Sequence, residues 1–239
     1  MLTCNKERVQ NKIETFSKFG DAGHGGITRL SLSKEALEAR AEFSKRMLAL
    51  GVKVVTDDLA NMYATFPGTE AGFPRIVMAS HCDSVRNGGN YDGILGVMTG
   101  MEVVETIVTE KIPHRHPITA MIWTNEEGSL YPPAMMCSGV VCGKFDKGKM
   151  LATKSCEGKT FGQALEQSGY IGDISNRLNP KDYMAMLELH IEQGPVLEAE
   201  NKQIGVVQGV VGMVNYRIRT YGQTDHAGTT PMKYRRRSK

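Results

Sequence analysis

Residues 76–83 read IVMASHCD, and this stretch decides which fold the sequence is expected to adopt. A short apolar run, 76–80, stops at His81. Two later runs repeat the pattern, each again followed by acids or a histidine: 118–124 (ITAMIWT) before Glu126 and Glu127, and 183–189 (YMAMLEL) before His190. Continuous apolar runs of this length are typical of strands that are buried on both faces of a sheet.

The segment between the first two runs predicts a helix. Apolar residues recur at helical spacing over 97–111: Val97, Met101, Val104 and Val108. Strand, helix and strand in this order form a βαβ unit, which predicts an α/β fold with a mixed, largely parallel sheet flanked by helices. Ligands bind such sheets beyond the carboxyl ends of the strands. All three runs place their acids and histidines at that end.

The flanking segments extend this α/β domain. Ser33 is a predicted N-cap for a helix over 34–50, which Gly51 ends. Residues 52–66 predict a pair of strands. The valine- and glycine-rich alternation of 204–220 predicts strands of a different layer. A domain boundary is therefore expected near 209–212, with residues 1–210 in the first domain and 211–239 in the second.

Composition excludes several classes of protein. The chain is 41% hydrophobic and 23% charged, which is ordinary for a soluble globular protein. It has no run of ~18 apolar residues and no apolar leader near its polar N-terminus, so we expect a cytoplasmic protein without a membrane partner. Five of the 29 basic residues lie in the last seven positions, so the net charge of +3 does not indicate nucleic-acid binding. An odd count of five cysteines without CxxC spacing predicts reduced thiols.

Two features near the first run could hold a metal ion. A histidine at a strand end is a natural ligand, and a carboxylate two residues later, here Asp83 after His81, can accept its second ring N–H. Asp92 lies in the stretch NGGNYDG, 87–93, whose glycines let the backbone bring a carboxylate close to an ion. Taken alone, each motif is more often a plain surface turn.

The second and third runs supply the remaining candidates. Adjacent carboxylates such as Glu126 and Glu127 repel each other at a buried strand end unless a cation is present, although an acidic pair at a helix start is an equal alternative. If one of them binds metal, the other is free to act as a base. His190 adds a second imidazole. Mixed nitrogen and oxygen ligands favour Zn²⁺ and also suit Mn²⁺ or Co²⁺, and a bridging aspartate would hold two ions ~3.5–4 Å apart.

Four stretches resemble one known family. Residues 81–97, HCDSVRNGGNYDGILGV, are similar to the metal-binding signature of the N-carbamoyl-L-amino-acid hydrolases and allantoate amidohydrolases, which are dinuclear metallopeptidase-like amidases. Three further matches follow in the same order: NEEGS at 125–129, LELHIEQGPVLE at 187–198 and DHAGTTPM at 225–232. The last two are specific to this branch of the group. The resemblance runs from residue 26 onward.

The resemblance implies a role for each matching residue. His81 and His190 would bind one metal ion, Glu127 would bind a second, and Asp92 would bridge the two. Asp83 would orient His81, and Glu126 would be the general base. Gln193 would contact the substrate. His226 would reach from a smaller α+β lid and dimerisation domain, of which 211–239 would be the beginning, into the active site of the partner in a homodimer.

The implied activity is hydrolysis of a small carbamoyl or ureido substrate. An N-carbamoyl-L-amino acid would give the amino acid, CO₂ and ammonia, and the alternatives in the same class are allantoate, a ureidopropionate or an acyl-amino acid. Members of the family continue well beyond DHAGTTPM with a final metal ligand and substrate-binding residues. A truncated or frame-shifted product is therefore expected here, and an inactive fragment with residual metal binding is the alternative of another class.

Overall fold

The computed structural model describes residues 3–212, 214, 216, 218–219 and 221–236. The chain divides into two compact units, residues 1–192 and 193–239. The domain boundary predicted near 209–212 stays a prediction. Positions 213, 215, 217 and 220 of the predicted strand segment and 237–239 of the basic tail lie outside the described residues.

The first unit is built on a five-stranded mixed sheet with the order β1-β2-β4-β3-β5. Its strands are β1 (Lys53–Thr56), β2 (Met62–Phe66), β3 (Arg75–His81), β4 (Ile118–Trp123) and β5 (Tyr183–Leu187). β3 pairs in parallel with both β4 and β5, whereas β1 with β2 and β2 with β4 are antiparallel. The α/β fold with a mixed sheet is confirmed. The ends of β3, β4 and β5 therefore share one edge.

Helices flank this sheet in the first unit, and the two predicted helices, α2 and α3, are confirmed. The helices of the first unit are α1 (Lys6–Phe16), α2 (Lys34–Ala49), α3 (Ile94–Thr109), α4 (Met136–Val141), α5 (Lys147–Leu151) and α6 (Phe161–Ser168), with a short 3-10 turn at Ile174–Asn176. The second unit contains α7 (Val196–Ala199) and a 3-10 turn at Met232–Tyr234. Ser33 caps α2 by accepting the N–H of Ala36. Gly51 follows with a φ of 74°, a left-handed conformation that glycine adopts without strain.

The two faces of β4 bury alternate side chains, as expected for a central strand. Ala120 and Ile122 pack with Phe43 of α2 and Met101 of α3 in the larger core cluster. Met121 faces the opposite cluster, with Tyr63 and Val77. α3 connects β3 to β4 across the sheet, so the strand–helix–strand unit anchors the edge where the histidines and acids lie.

The prediction that the third apolar run, 183–189, is buried on both faces of the sheet was wrong. In β5, Met184 is 67% exposed and Leu187 is 55% exposed. The physical reason is position, because β5 lies at the edge of the sheet and pairs only with β3 in the described part of the chain. An apolar run shows that a segment is hydrophobic, but it does not show whether a strand will lie on each side of it.

The strands predicted over 204–220 are absent from the described residues of that segment. Val210 and Val211 are 93% and 88% exposed there. A strand needs a partner for its backbone groups and a core for its apolar face, and alternation in the sequence supplies neither.

Two further expectations have structural outcomes. All five cysteines are free, as predicted, and Cys82 is buried in the larger core cluster. Within the described residues, no helix is both long and apolar enough to pass through a bilayer.

Candidate metal centre

The shared edge of β3, β4 and β5 brings two histidines and an aspartate together. His81 ends β3, His190 follows β5, and Asp92 lies just before α3. Their ligand atoms all lie within 4.8 Å of one another. Asp92 Oδ1 is 3.2 Å from His190 Nε2 and 3.9 Å from His81 Nε2. Three groups of this chemistry at these separations form a candidate metal-binding site.

The hydrogen bonds of the two imidazoles leave Nε2 of each ring available to a cation. His81 Nδ1 lies 2.8 Å from the carbonyl oxygen of Asp83, and His190 Nδ1 lies 2.8 Å from that of Ile191. A carbonyl oxygen can only accept, so Nδ1 carries the proton in both rings. In the neutral imidazole the lone pair is then on Nε2, the atom that points at Asp92 in each case.

Gly93 is required by the close approach of the Asp92 loop to His81. Its φ is +64°, and a Cβ built there would lie 2.3 Å from Cε1 and 2.4 Å from Nε2 of His81. Gly96, one turn into α3, is similarly tight, with its Cβ position 2.6 Å from Cβ of Ser80. These glycines let α3 begin directly against the end of β3, which places the Asp92 carboxylate beside the imidazole.

The structure gives Asp83 a different hydrogen bond from the one the sequence predicts. The ring N–H of His81 goes to the backbone carbonyl of Asp83, and the carboxylate Oδ1 is 4.0 Å from Nδ1. The carboxylate instead accepts the backbone N–H groups of Glu126 at 3.3 Å and Glu127 at 3.2 Å. Two backbone donors at a buried strand end need an acceptor, and this carboxylate is the one in reach. Asp83 thus ties the turn after β3 to the turn after β4.

Glu126 lies at the rim of the cluster. Its Oε2 is 3.5 Å from His81 Nε2, and its side chain is 32% exposed. Burial raises the pKa of this carboxyl, and the nearby charges of Asp83 and Glu188 raise it further, against the opposing effect of His81. A carboxyl group with a raised pKa can both accept a proton and return it.

Glu127, the next residue, has an unsatisfied oxygen. Its Oε1 is buried and has no hydrogen-bond partner in the described part of the chain. Burial raises its pKa to about 7, with the charges of Asp92 and Glu126 acting in the same direction and His81 opposing them. A buried carboxylate oxygen without a donor is what a cation ligand looks like before the cation binds. Glu127 is not in the three-residue cluster, so its role as ligand of a second ion stays a prediction.

The acids also act on His81. Burial favours its neutral form, but the charges of Asp83 and Glu126 outweigh burial and raise the pKa of the imidazole. In the metal-free chain the cluster therefore binds protons where the proposed cations would bind, so protons and cations compete for it.

Glu188 is a residue of this region that the sequence analysis missed. Ser80 Oγ donates to its Oε1 at 2.5 Å, which ties the residue before His81 to the residue after β5. Its charge is close enough to raise the pKa of Glu126. A signal was present, because Glu188 is the only charged residue in the apolar run 183–189.

Gln193 and His226 belong to the second unit. Nδ1 of His226 accepts the backbone N–H groups of Gly228 at 3.1 Å and Thr229 at 3.2 Å. In the neutral ring the proton is then on Nε2, which suits an oxyanion donor. The predicted substrate contacts of both residues stay predictions.

Histidines and carboxylates lie together at the strand ends of this α/β sheet, where they form a candidate metal-binding site. The chain belongs to Peptidase family M20/M25/M40, whose family model matches residues 77–235. The resemblance described from the sequence motifs is confirmed at this level.

Several proteins similar to this chain are named as amidohydrolases or amidases. The chain is 38% identical over 231 residues to an N-carbamoyl-L-amino-acid amidohydrolase of Rhizobium meliloti, covering 97% of this chain and 55% of the relative. It is 34% identical to the allantoate amidohydrolase of Escherichia coli K12, covering 99% and 57%. A hydantoinase/carbamoylase family amidase from Burkholderia ambifaria superimposes with a TM-score of 0.83 at 34% identity, covering 98% and 56%. The chain thus spans about half the length of the relatives it matches.

The close approach of Gly93 to His81 makes a testable prediction. In the Gly93→Ala variant the new Cβ must displace either the imidazole or the Asp92 loop, so we expect metal affinity to fall by at least about tenfold. Calorimetric titration with Zn²⁺ measures this. Gly89→Ala is the matched control, since a Cβ at this position of the same loop meets nothing within 4 Å. Equal affinities in the two variants would contradict the geometry.

The raised pKa of Glu127 predicts the pH dependence of metal binding. A carboxyl group with a pKa of about 7 holds a proton at pH 6 that must leave before a cation binds. Apparent affinity is therefore expected to rise about fivefold from pH 6 to pH 7 and about a further twofold above pH 7. Calorimetry in buffers of different ionisation enthalpy counts the released protons. Glu127→Gln should release fewer, and identical proton release in both proteins would show that Glu127 takes no part.

Proposed function

We propose that this chain carries the metal-binding part of an amidohydrolase that cleaves a linear amide or carbamoyl C–N bond. The observation that carries the proposal is the convergence of two Nε2 lone pairs, from His81 and His190, on the carboxylate of Asp92. The family membership and the printed names of the relatives support the same class of reaction.

The residues at the site fit divalent cations. Two imidazoles and several carboxylates offer nitrogen and oxygen donors, and within the described residues the buried Oε1 of Glu127 has no donor to satisfy it. We propose that this site would hold two ions, one through His81 and His190 and the other through Glu127, with Asp92 shared between them. Zn²⁺ is favoured by the imidazole pair, and Mn²⁺ and Co²⁺ accept the same donors. Bound at such a site, divalent ions make water acidic near neutral pH and polarise a carbonyl.

The residues of the chain then divide the remaining work. Glu126 accepts the proton of the attacking water and returns it to the leaving nitrogen. Its position supports this, because it borders His81 and is exposed enough to reach a substrate. Asp83 holds Glu126 and Glu127 in place through their backbone N–H groups. Gln193 contacts the substrate, and His226 stabilises the oxyanion across the interface of a homodimer.

The proposed substrate is an N-carbamoyl-L-amino acid, which would give the amino acid, CO₂ and ammonia. The relative from Rhizobium meliloti, at 38% identity, supports this class. Allantoate is the second candidate, supported by the Escherichia coli relative at 34% identity. The alternative of an inactive fragment has no support among these relatives, which are named as enzymes.

The proposed base assignment predicts the behaviour of Glu126→Gln. The amide keeps the shape of the side chain but does not accept the proton of water, so turnover is expected to fall by about 10²–10⁴-fold with metal content unchanged. Ammonia release from metal-loaded protein measures turnover on N-carbamoyl-L-amino acids, allantoate and a ureidopropionate. Glu70→Gln, which alters only a surface ion pair with Arg115, is the control.

Two results would count against the proposal. Turnover of Glu126→Gln equal to that of the unmodified chain would refute the base assignment. Metal-loaded protein that releases no ammonia from any of the three substrate classes would contradict the proposed function itself.

A further inference from the structure

Arg29 is a buried cation with an unusual set of partners. Arg29 is only 1% exposed. Nε donates to the carbonyl oxygen of Cys82 at 2.5 Å, and Nη1 donates to those of Phe16 at 3.0 Å and Phe19 at 2.8 Å. Among the described residues no carboxylate lies within ion-pair distance of this guanidinium. Burial accordingly lowers its pKa, and a buried charge bound only to carbonyls is costly to keep.

The contact with Cys82 reaches the metal centre through one peptide. Cys82 lies between His81 and Asp83, and its carbonyl sets the orientation of the peptide that leads into Asp83. The carbonyl of Asp83 accepts the ring N–H of His81, and the carboxylate of Asp83 holds the turn after β4. Two groups of Asp83 thus depend on the orientation of the backbone at Cys82.

The backbone of Arg29 contacts the same turn at Ser84. Its N–H donates to Ser84 Oγ at 2.9 Å, and its carbonyl accepts the N–H of Ser84 at 2.9 Å. Arg29 therefore holds Cys82 with its side chain and Ser84 with its main chain. These contacts hold the residues on both sides of Asp83.

We propose that Arg29 is a positioning residue of the metal centre, which clamps the turn 82–84 so that the Asp83 carbonyl fixes the tautomer and orientation of His81. The inference deepens the proposed function and rests on it for the role of His81. Arg29 does not touch the candidate ligand atoms, so its effect passes through the backbone. This use of the residue explains why the fold retains a buried charge that, within the described residues, has no carboxylate at ion-pair distance.

The shape of the guanidinium distinguishes this role from that of a buried charge alone. Three carbonyls in different directions match the rigid fork of arginine, whereas lysine carries a single nitrogen. Arg29→Lys keeps the charge and removes the fork. Lys12→Met is the matched control, because Lys12 is also 1% exposed in its side chain but is bound to Glu102 and Glu105 of α3.

The first measurement uses the full metal-free chain labelled with ¹⁵N-histidine. In the unmodified protein, at a pH above the raised pKa of His81 where its imidazole is neutral, this ring is expected to show a single tautomer with Nδ1 protonated. In Arg29→Lys its signals should shift toward a mixture of tautomers, and in Lys12→Met they should not change. The second measurement is titration with Co²⁺. We expect Arg29→Lys to bind about 10–100-fold more weakly, with an altered visible absorption spectrum, and Lys12→Met to match the unmodified chain.

The outcomes separate this inference from the proposed function. If the unmodified chain binds no Co²⁺, the proposed function fails while the imidazole signals still decide the role of Arg29. Unchanged His81 signals in folded Arg29→Lys, or mixed tautomers in the unmodified chain, overturn the inference. If Arg29→Lys does not fold, Ser84→Ala replaces it, since this change removes the hydroxyl that accepts the Arg29 N–H and donates to the carbonyl oxygen of Val85. A smaller shift of the same signals is expected there, and no shift overturns the inference.

Discussion

The parallel pairing of β3 with β4 and β5 is the constraint on which the site depends. Because the three strands run in the same direction, their carboxyl ends meet at one edge, and residues far apart in sequence become neighbours there. His81 ends β3, Glu126 follows β4 and His190 follows β5. The tight start of α3 at Gly93 then adds Asp92 to the same edge. Asn125, directly before Glu126, also adopts a left-handed φ, of 55°.

Electrostatics explains why such an edge suits a cation. Several carboxylates crowd around two imidazoles, and the metal-free cluster relieves their repulsion by holding protons, as the raised pKa values of Glu126, Glu127 and His81 indicate. Hydrogen bonds from the backbone position these groups without using their ligand atoms. The carbonyls of Asp83 and Ile191 take the Nδ1 protons, which leaves Nε2 of both histidines for metal. A cation would thus replace protons at a site that is already arranged.

The sequence predicted the parts of the structure that depend on local pattern. Apolar runs marked β3, β4 and β5, Ser33 and Gly51 marked the ends of α2, and the residues after the runs marked the site. What it did not predict depends on tertiary partners. The exposure of β5 follows from its place at the sheet edge, and the direction of the Asp83 carboxylate follows from two donors on another strand. Arg29 carries no local signal at all, since its partners are backbone carbonyls elsewhere in the chain.

His81, Asp92 and His190 are proposed to bind one cation together. X-ray absorption at the zinc edge of the loaded chain tests this binding, because imidazole rings give characteristic multiple scattering. We predict two imidazole nitrogens per chain at about 2.0–2.1 Å, with oxygen ligands for the remainder and no sulfur. His81→Ala and His190→Ala should each lose one imidazole or all bound zinc. A spectrum with sulfur ligands, or one that both variants leave unchanged, would overturn this inference.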